Sequence, residues 1–465
     1  MEQIKIERLT SGPKHHLFGF HDLLITNGVG DKYLSLEVDT MNRPPLPGEL
    51  FGVGYVKNGQ YVRIGETTAL NYPQGARQQW VGETELFIVN NRVGDVWGTD
   101  LYDTTTNQRI DRFEATTHML SKDGRYAYGL DYARLFRLGG YGYSGIVDKG
   151  VNDAMPKNSG ITKLDMQTKK VELLVSVRQV AECGGASSGV SHHYLTHLCL
   201  NPSCTRVAFL HRYFMADGGL MTRLMSVSTD GTGLRCLAQG FLSHFDWKDN
   251  QTIYIFGRAN SSLDALRNNS LLSNPLMAGP MKVVKKVAKF VLRRGNGGSN
   301  ANAGKYFMMI TDAERPVITP FAQGLITEDG HPMTNPVNGN WCINDTYPDK
   351  EGIRTLMLYN FLTNQCINLG TFKMLMDKPD MALAEKYFTG VDPKILGSIS
   401  QEELAFTRSG LHCDLHPRWS RDGQQAVFDS IHEGTRQIYV AHVGGLFKTR
   451  ASCARTDSIT LFTCS

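Results

Sequence analysis

The chain lacks the patterns that would commit it to a membrane, a disulfide framework or a nucleotide site. No apolar run approaches the roughly 18 residues of a spanning helix, and the opening MEQIKIERLTSGPKHH has no apolar signal core. Nine cysteines are an odd, scattered count with no CxxC pair, which argues against a zinc ribbon or a stapled scaffold. A reducing cytoplasm is therefore the expected location. The GxG elements do not join a strand to a helix, so they make no dinucleotide or phosphate cradle, and GYSGI at 142–146 lacks the strand-turn-helix setting of a nucleophile elbow. A net charge of +4 is too small and dispersed to imply nucleic acid. Runs of helical period are few.

What is present is a repeat. With 41% hydrophobic and 20% charged residues there is ample material for a core, and the apolar segments recur in one frame. The clearest copy starts at His416: HPRWSRDGQQAVFDS, a turn, then RQIYVAHV. A short alternating strand, a Ser-x-Asp-Gly turn and further apolar strands make a β-meander. The frame returns at His244 (HFDWKDNQTIYIFG), His331 (HPMTNPVNGNWCIND), His197 (HLCLNPSCTRVAFLH) and Arg77 (RQQWVGETELFIV), with looser copies near Thr117 and at His21. A period of this kind announces a closed array. The expected fold is all-β: a single seven-bladed β-propeller, with blades at about 10–71, 72–115, 116–177, 191–240, 241–324, 325–372 and 411–443. Closure needs one more outer strand, which residues 3–9 or 458–464 can supply.

Two insertions interrupt the period. Residues 139–160, rich in Gly and Asn, read as a loop over one mouth. Residues 259–304 contain MKVVKKVAKFVLRR at 281–294, six basic residues with no acid. Val284, Val287, Ala288 and Val291 share one helical face, so a basic amphipathic helix is expected there. It would suit an anionic surface, giving peripheral contact with an inner membrane, or pack against the propeller as a solvated helix.

In a propeller the innermost strands line the channel, so equivalent positions converge. That would gather Arg77, His197, His244, His331 and His416 at one opening, with His21 and the acid Asp22 beside them. Hydrogen bonding between neighbouring strands is the plainer role for each histidine alone. His412, Asp414 and His416 alternate along an extended segment and so share a face. Two imidazoles and a carboxylate at that spacing, completed by His331, fit a divalent ion of the Mn, Fe, Zn or Ni type better than Ca.

The segments TRLMSVSTDGTGLR (222–235), SHFDWKDNQTIYIFG (243–257), EDGHPMTNPVNGNWCINDTYPD (328–349) and HPRWSRDGQQAVFDS (416–430) resemble bacterial oligogalacturonate lyases. The resemblance covers about the C-terminal half. It implies a seven-bladed cytoplasmic propeller that cleaves short uronic-acid oligosaccharides by β-elimination with a divalent metal, typically manganese. By position, Arg223 matches the family's active-site arginine, His244 its catalytic base, and His331 and His416 metal ligands. Asp414 falls where the family has a histidine, and Leu411 where it has glutamine, with His412 adjacent. The N-terminal half, including HHLFGFHD and NYPQGARQQW, resembles propeller proteins encoded with bacterial surface-polysaccharide genes, which implies related chemistry on a different glycan.

The chemistry can be built without the family. Removing the proton α to a uronate carboxylate develops enolate-like charge, which Arg223 or a metal can stabilise. His244 has the right ordinary pKa for the base. Arg77 and Arg212 can fork onto substrate carboxylates, and Tyr143, Tyr347 or His197 can protonate the leaving oxygen. The expected partner is an acidic oligo- or polysaccharide. A glycan-binding scaffold without turnover and a glycoside hydrolase are the alternatives; the hydrolase needs a carboxylate pair, and Asp22, Asp345 and Asp414 have no spacing that selects one.

Overall fold

A computed structural model describes residues 4–184, 192–215, 219–260 and 304–447. The basic segment 281–294 and the alternative closing segment 458–464 lie outside the described residues. The described strands form antiparallel sheets in a propeller-like, all-β arrangement. Four-stranded meanders occupy residues 15–67, 79–113, 119–176 and 333–373, and a seven-stranded sheet runs from His193–Leu200 to Ile318–Pro320. The 13-residue strand Arg235–Trp247 lies at the middle of that sheet, with its register broken between Leu242 and Phe245. The last sheet takes three strands from 418–442 and its fourth from Ile6–Arg8, which pairs antiparallel with Tyr439–Ala441.

The Ser-x-Asp-Gly turns form as the frame anticipates. In two copies the serine hydroxyl donates to the aspartate, Ser121 to Asp123 and Ser420 to Asp422, each at 2.5 Å. The glycine follows at positive φ, 71° at Gly124 and 66° at Gly423. The tryptophan of the frame has a constant task. Trp80, Trp247 and Trp419 donate their indole N–H to the carbonyls of Ile25, Cys199 and Met333 in the preceding copy, at 2.9–3.0 Å. Each buried indole thus satisfies a backbone acceptor on the neighbouring inner strand while filling the gap between sheets.

The head of the frame is backbone-strained. Arg77, His197 and His416 adopt φ of 54°, 56° and 42°, uncommon for residues with a Cβ. The preceding carbonyls, Ala76 and Leu415, still accept from Asn90 and Asp429 of the second strand. The head residue is therefore bulged out of the ladder, and its side chain is turned from the pleat toward the channel.

The first sheet departs further from regularity. His15–Leu17 pairs with Leu36–Val38, and pairing resumes where Ile25 accepts from Leu34. Residues 18–24 leave the ladder between those points. Gly19, at φ 117°, lets this bulge lie on the backbone of Gln74 and Gly75, where a Cβ would sit 2.6 Å from main-chain atoms. Phe20 and His21 are carried into the middle of the ring.

Helix is more frequent than the periodicity suggests. Residues 139–159 form the expected irregular loop, but 374–410 carries short helices at Ala384–Phe388, Pro393–Leu396 and Gln401–Arg408 that pack over the mouth through Phe136. These lengths fall below the window in which a helical period can be recognised. No described helix is long and apolar enough to cross a membrane.

Two acids, one buried and one partly buried, make the fold testable. Asp429 bridges Arg418 at 2.8 Å and Arg436 at 3.3 Å, all three fully enclosed. Asp429→Ala leaves two buried guanidiniums without their anion, and an equilibrium denaturation curve should show a loss of about 3–5 kcal/mol. Asp246 is held by Thr334 N at 2.7 Å and by the Cys199 thiol, and burial pushes its pKa from 3.8 up to about 6. The folded state then keeps a proton that the unfolded state releases, so stability falls as pH rises from about 4 to 6. In Asp246→Asn that decline, on the order of 2–3 kcal/mol, should disappear from a pH series of unfolding curves.

Candidate metal and catalytic site

The heads of the repeats meet around the central bulge. The Phe20 ring lies 5.0–6.3 Å from the imidazoles of His197, His244, His331 and His416, and His21 lies 5.5–6.2 Å from the last three. His244 and His331 are 4.2 Å apart, as are His331 and His416. All are buried. A separate pocket of about 530 Å³ is lined by Asp22, Trp80, Cys199, Trp247 and Met333 among others, and by none of these rings.

Asp345, on the strand Trp341–Asp345, holds two heads at once. One carboxylate oxygen accepts the backbone N–H of His331 at 2.7 Å and its Nδ1–H at 2.8 Å; the other accepts the backbone N–H of His416 at 3.2 Å. With Nδ1 fixed as the donor, His331 Nε2 carries the lone pair of the neutral ring or the second N–H of the charged one, and it is buried without a hydrogen-bond partner. It faces Asp414. One carboxylate oxygen of Asp414 is 3.2 Å from His412 Nε2, 3.7 Å from His416 Nε2 and 3.9 Å from His331 Nε2.

Ligand atoms of His331, Asp414 and His416 all lie within 4.8 Å of one another. This buried set fits a borderline divalent cation. The orphaned nitrogen with a carboxylate behind it is the arrangement a metal-bound histidine requires. His412 stands at the rim of the same set, partly exposed.

Electrostatics divide the roles. Burial opposes charge on Asp414, but His412 and Arg354 outweigh it and hold the carboxyl well below its ordinary pKa. Arg354 Nη2 approaches the second Asp414 oxygen at 2.5 Å, out of line for a hydrogen bond, so the contact is a bare ion pair. Burial would lower His331, yet the carboxylates of Asp345 and Asp414 raise it. Burial and the neighbouring His331 lower His244, against the pull of Asp329, whose carboxylate is 3.3 Å from its Nδ1. His244 is thus neutral near pH 7 and oriented by an acid. Burial also drives Tyr347 well above its ordinary pKa, so its phenol keeps its proton. Its ring is 6.1 Å from that of His244 and 5.6 Å from that of His331.

Several candidates lie elsewhere. Arg223 is remote from the cluster: it donates to the carbonyls of Val180 and Cys183, at the end of the helix Val177–Glu182, and contacts His211. Arg77 makes a bidentate pair with Asp22 at 2.9 and 3.0 Å and also donates to His118 O, so neither side chain is free to clamp a substrate. Tyr143 is wholly buried, stacked on Tyr132 and bonded to Asn90. His197 borders the cleft that contains Arg212.

Five residues at the centre escape the repeat frame: Phe20, Asp329, Asp345, Arg354 and His118. His118 lies 3.9 Å from Asp22 and adjoins the frame position Thr117, so a one-residue shift would have found it. Asp345 and Arg354 sit on the second and third strands of their sheet, where the frame has no fixed residue.

No family model and no curated protein sequence matches the chain. Among solved structures it is similar to an oligogalacturonate lyase from Vibrio parahaemolyticus, at a TM-score of 0.54 and 13% identity over 95% of this chain and 94% of that one. An oligogalacturonate lyase in complex with manganese aligns at 0.40 and 12% over 95% and 93%. The β-propeller domain of the Trilobed protease from Pyrococcus furiosus aligns at 0.37 and 10% over 77% and 78%. At 13% identity the likeness to the first of these concerns the fold, and the chemistry has to be argued from the side chains.

Proposed function

We propose that the protein is a carbon–oxygen lyase that cleaves a uronic-acid-containing glycan by β-elimination. We further propose that the fold is a seven-bladed ring with the blade limits given above, the seven-stranded sheet being two blades that share the strand Arg235–Trp247. The observation that carries the functional reading is the buried, unpartnered His331 Nε2, gathered with Asp414 and His416 and adjoined by a carboxylate-oriented histidine.

In this reading His331, Asp414 and His416, with His412 at the rim, hold a divalent cation, manganese being the preferred one. Such an ion supplies Lewis-acid stabilisation of the charge that develops on a uronate carboxylate. His244 takes the proton α to that carboxylate, and Asp329 stabilises the imidazolium that forms. The electron pair released from the C–H bond forms the C4–C5 double bond as the glycosidic C–O bond breaks. Tyr347, kept protonated, delivers a proton to the departing oxygen. Arg354 holds Asp414 as an anion and adds positive charge, a role the sequence had suggested for Arg223. The dry floor made by Phe20 and His21 strengthens each of these interactions.

Metal analysis of the purified protein should find about one equivalent of divalent ion per chain, and His331→Ala and His416→Ala should each lose it. A metal-free wild type with full activity would sink the site. Incubation with uronate glycans should generate the ultraviolet absorbance of an unsaturated uronate. His244→Ala should lower that rate by about 10²- to 10⁴-fold without releasing the metal. No absorbance from any member of a broad uronate panel, with manganese supplied, would overturn the lyase reading in favour of a binding propeller.

A further inference from the structure

Beside the metal cluster, and not part of it, a cleft of about 240 Å³ opens between the ring and the helical segment laid over its mouth. Its walls come from the strands His193–Leu200 and Arg206–Phe214, the loop at 138–141 and the helix Gln401–Arg408. Two guanidiniums face it, Arg212 and Arg408, and no Asp or Glu is among its described lining residues. Arg212 Nε is buried with no hydrogen-bond partner. Arg408 stacks over Tyr141 at 5.0 Å and donates through Nη2 to Gly139 O at 2.6 Å and, at the longer distance of 3.5 Å, through Nη1 to Thr407 O, so that part of its five-donor fork stays uncommitted.

Two partly buried arginines with no carboxylate among the lining residues make the cleft electropositive, and an anion would complete it. Ile399 and Leu404 supply an apolar wall opposite the polar groups, a combination suited to a sugar ring with one apolar face and a carboxylate at its edge. The cleft is of the order of one sugar unit in size. Tyr141 forms the partition: it lines the cleft, yet its phenol also lies within the field of Asp414 as well as of Arg408 and Arg212.

We infer that this cleft is a carboxylate-sugar subsite, in which Arg212 and Arg408 hold a uronate unit neighbouring the one that reaches His244 and Asp414. The inference rests on the lyase reading and narrows it: the substrate carries acidic groups on at least two units, and the helical segment at 384–408 selects for chain length. Neither arginine touches the reacting unit.

The test is calorimetric binding of galacturonate, di- and tetragalacturonate and neutral maltotetraose to the manganese-loaded protein, with Arg212→Gln/Arg408→Gln as the variant. Ser398→Trp, which fills the cleft without altering charge, is the second variant should the double substitution fail to fold. Wild type should bind tetragalacturonate at least about tenfold more tightly than galacturonate, and both variants should lose that gain while retaining their metal. Inorganic sulfate should compete in wild type alone. Unchanged chain-length dependence in the variants, equal binding of maltotetraose, or no wild-type binding of any acidic oligomer would overturn the subsite. Metal content and ultraviolet product are read separately. A protein that binds tetragalacturonate through these arginines without forming product would keep the subsite and lose the lyase reading; one that forms product with an unaltered KM in the variants would do the reverse.

Discussion

Everything at the centre of this protein depends on one closure, the pairing of Ile6–Arg8 with Tyr439–Ala441. A four-stranded meander cannot cover its own faces, so each sheet is stable only between two neighbours. The ends of the chain are the one place where the neighbour is not supplied by the next repeat. Once the ring is closed, inner strands far apart in sequence are forced into one channel, and the indoles of Trp80, Trp247 and Trp419 fasten each to the copy before it.

Closure alone would give a lined tube. Two departures from the repeat turn it into a site. The left-handed heads at Arg77, His197 and His416 give up regular backbone geometry to aim their side chains inward. The excursion of residues 18–24 fills the axis with an aromatic ring and an imidazole. Asp345 then ties the backbones of His331 and His416 together across two sheets. The spacing of those two imidazoles is set by one carboxylate rather than by the softer packing between sheets.

The sequence made the repeat legible because turn chemistry and tryptophans recur at fixed offsets, and it made the histidines legible because they stand at one offset. It could not disclose what lies off that offset. Asp345 is only one of three acids that no spacing selects, and Arg354 is an ordinary strand residue, until the sheet turns them toward His331 and Asp414. Arg223 has the right neighbours in sequence, but the carbonyls of Val180 and Cys183 that engage it lie 40 or more residues upstream, and only the fold brings them together. Arg77 likewise looks like a free clamp until Asp22 arrives from the first sheet. The helices at 384–408 are too short to show a period, so Arg408 carried no signal.

The Phe20–His21 pair has one more consequence. Its two rings sit among imidazoles that come from different sheets, so at this level the axis is packed like a protein interior and not lined like a pipe. Phe20 therefore acts as a keystone: a smaller side chain there would be felt by every sheet that contributes a histidine, and not by one contact alone.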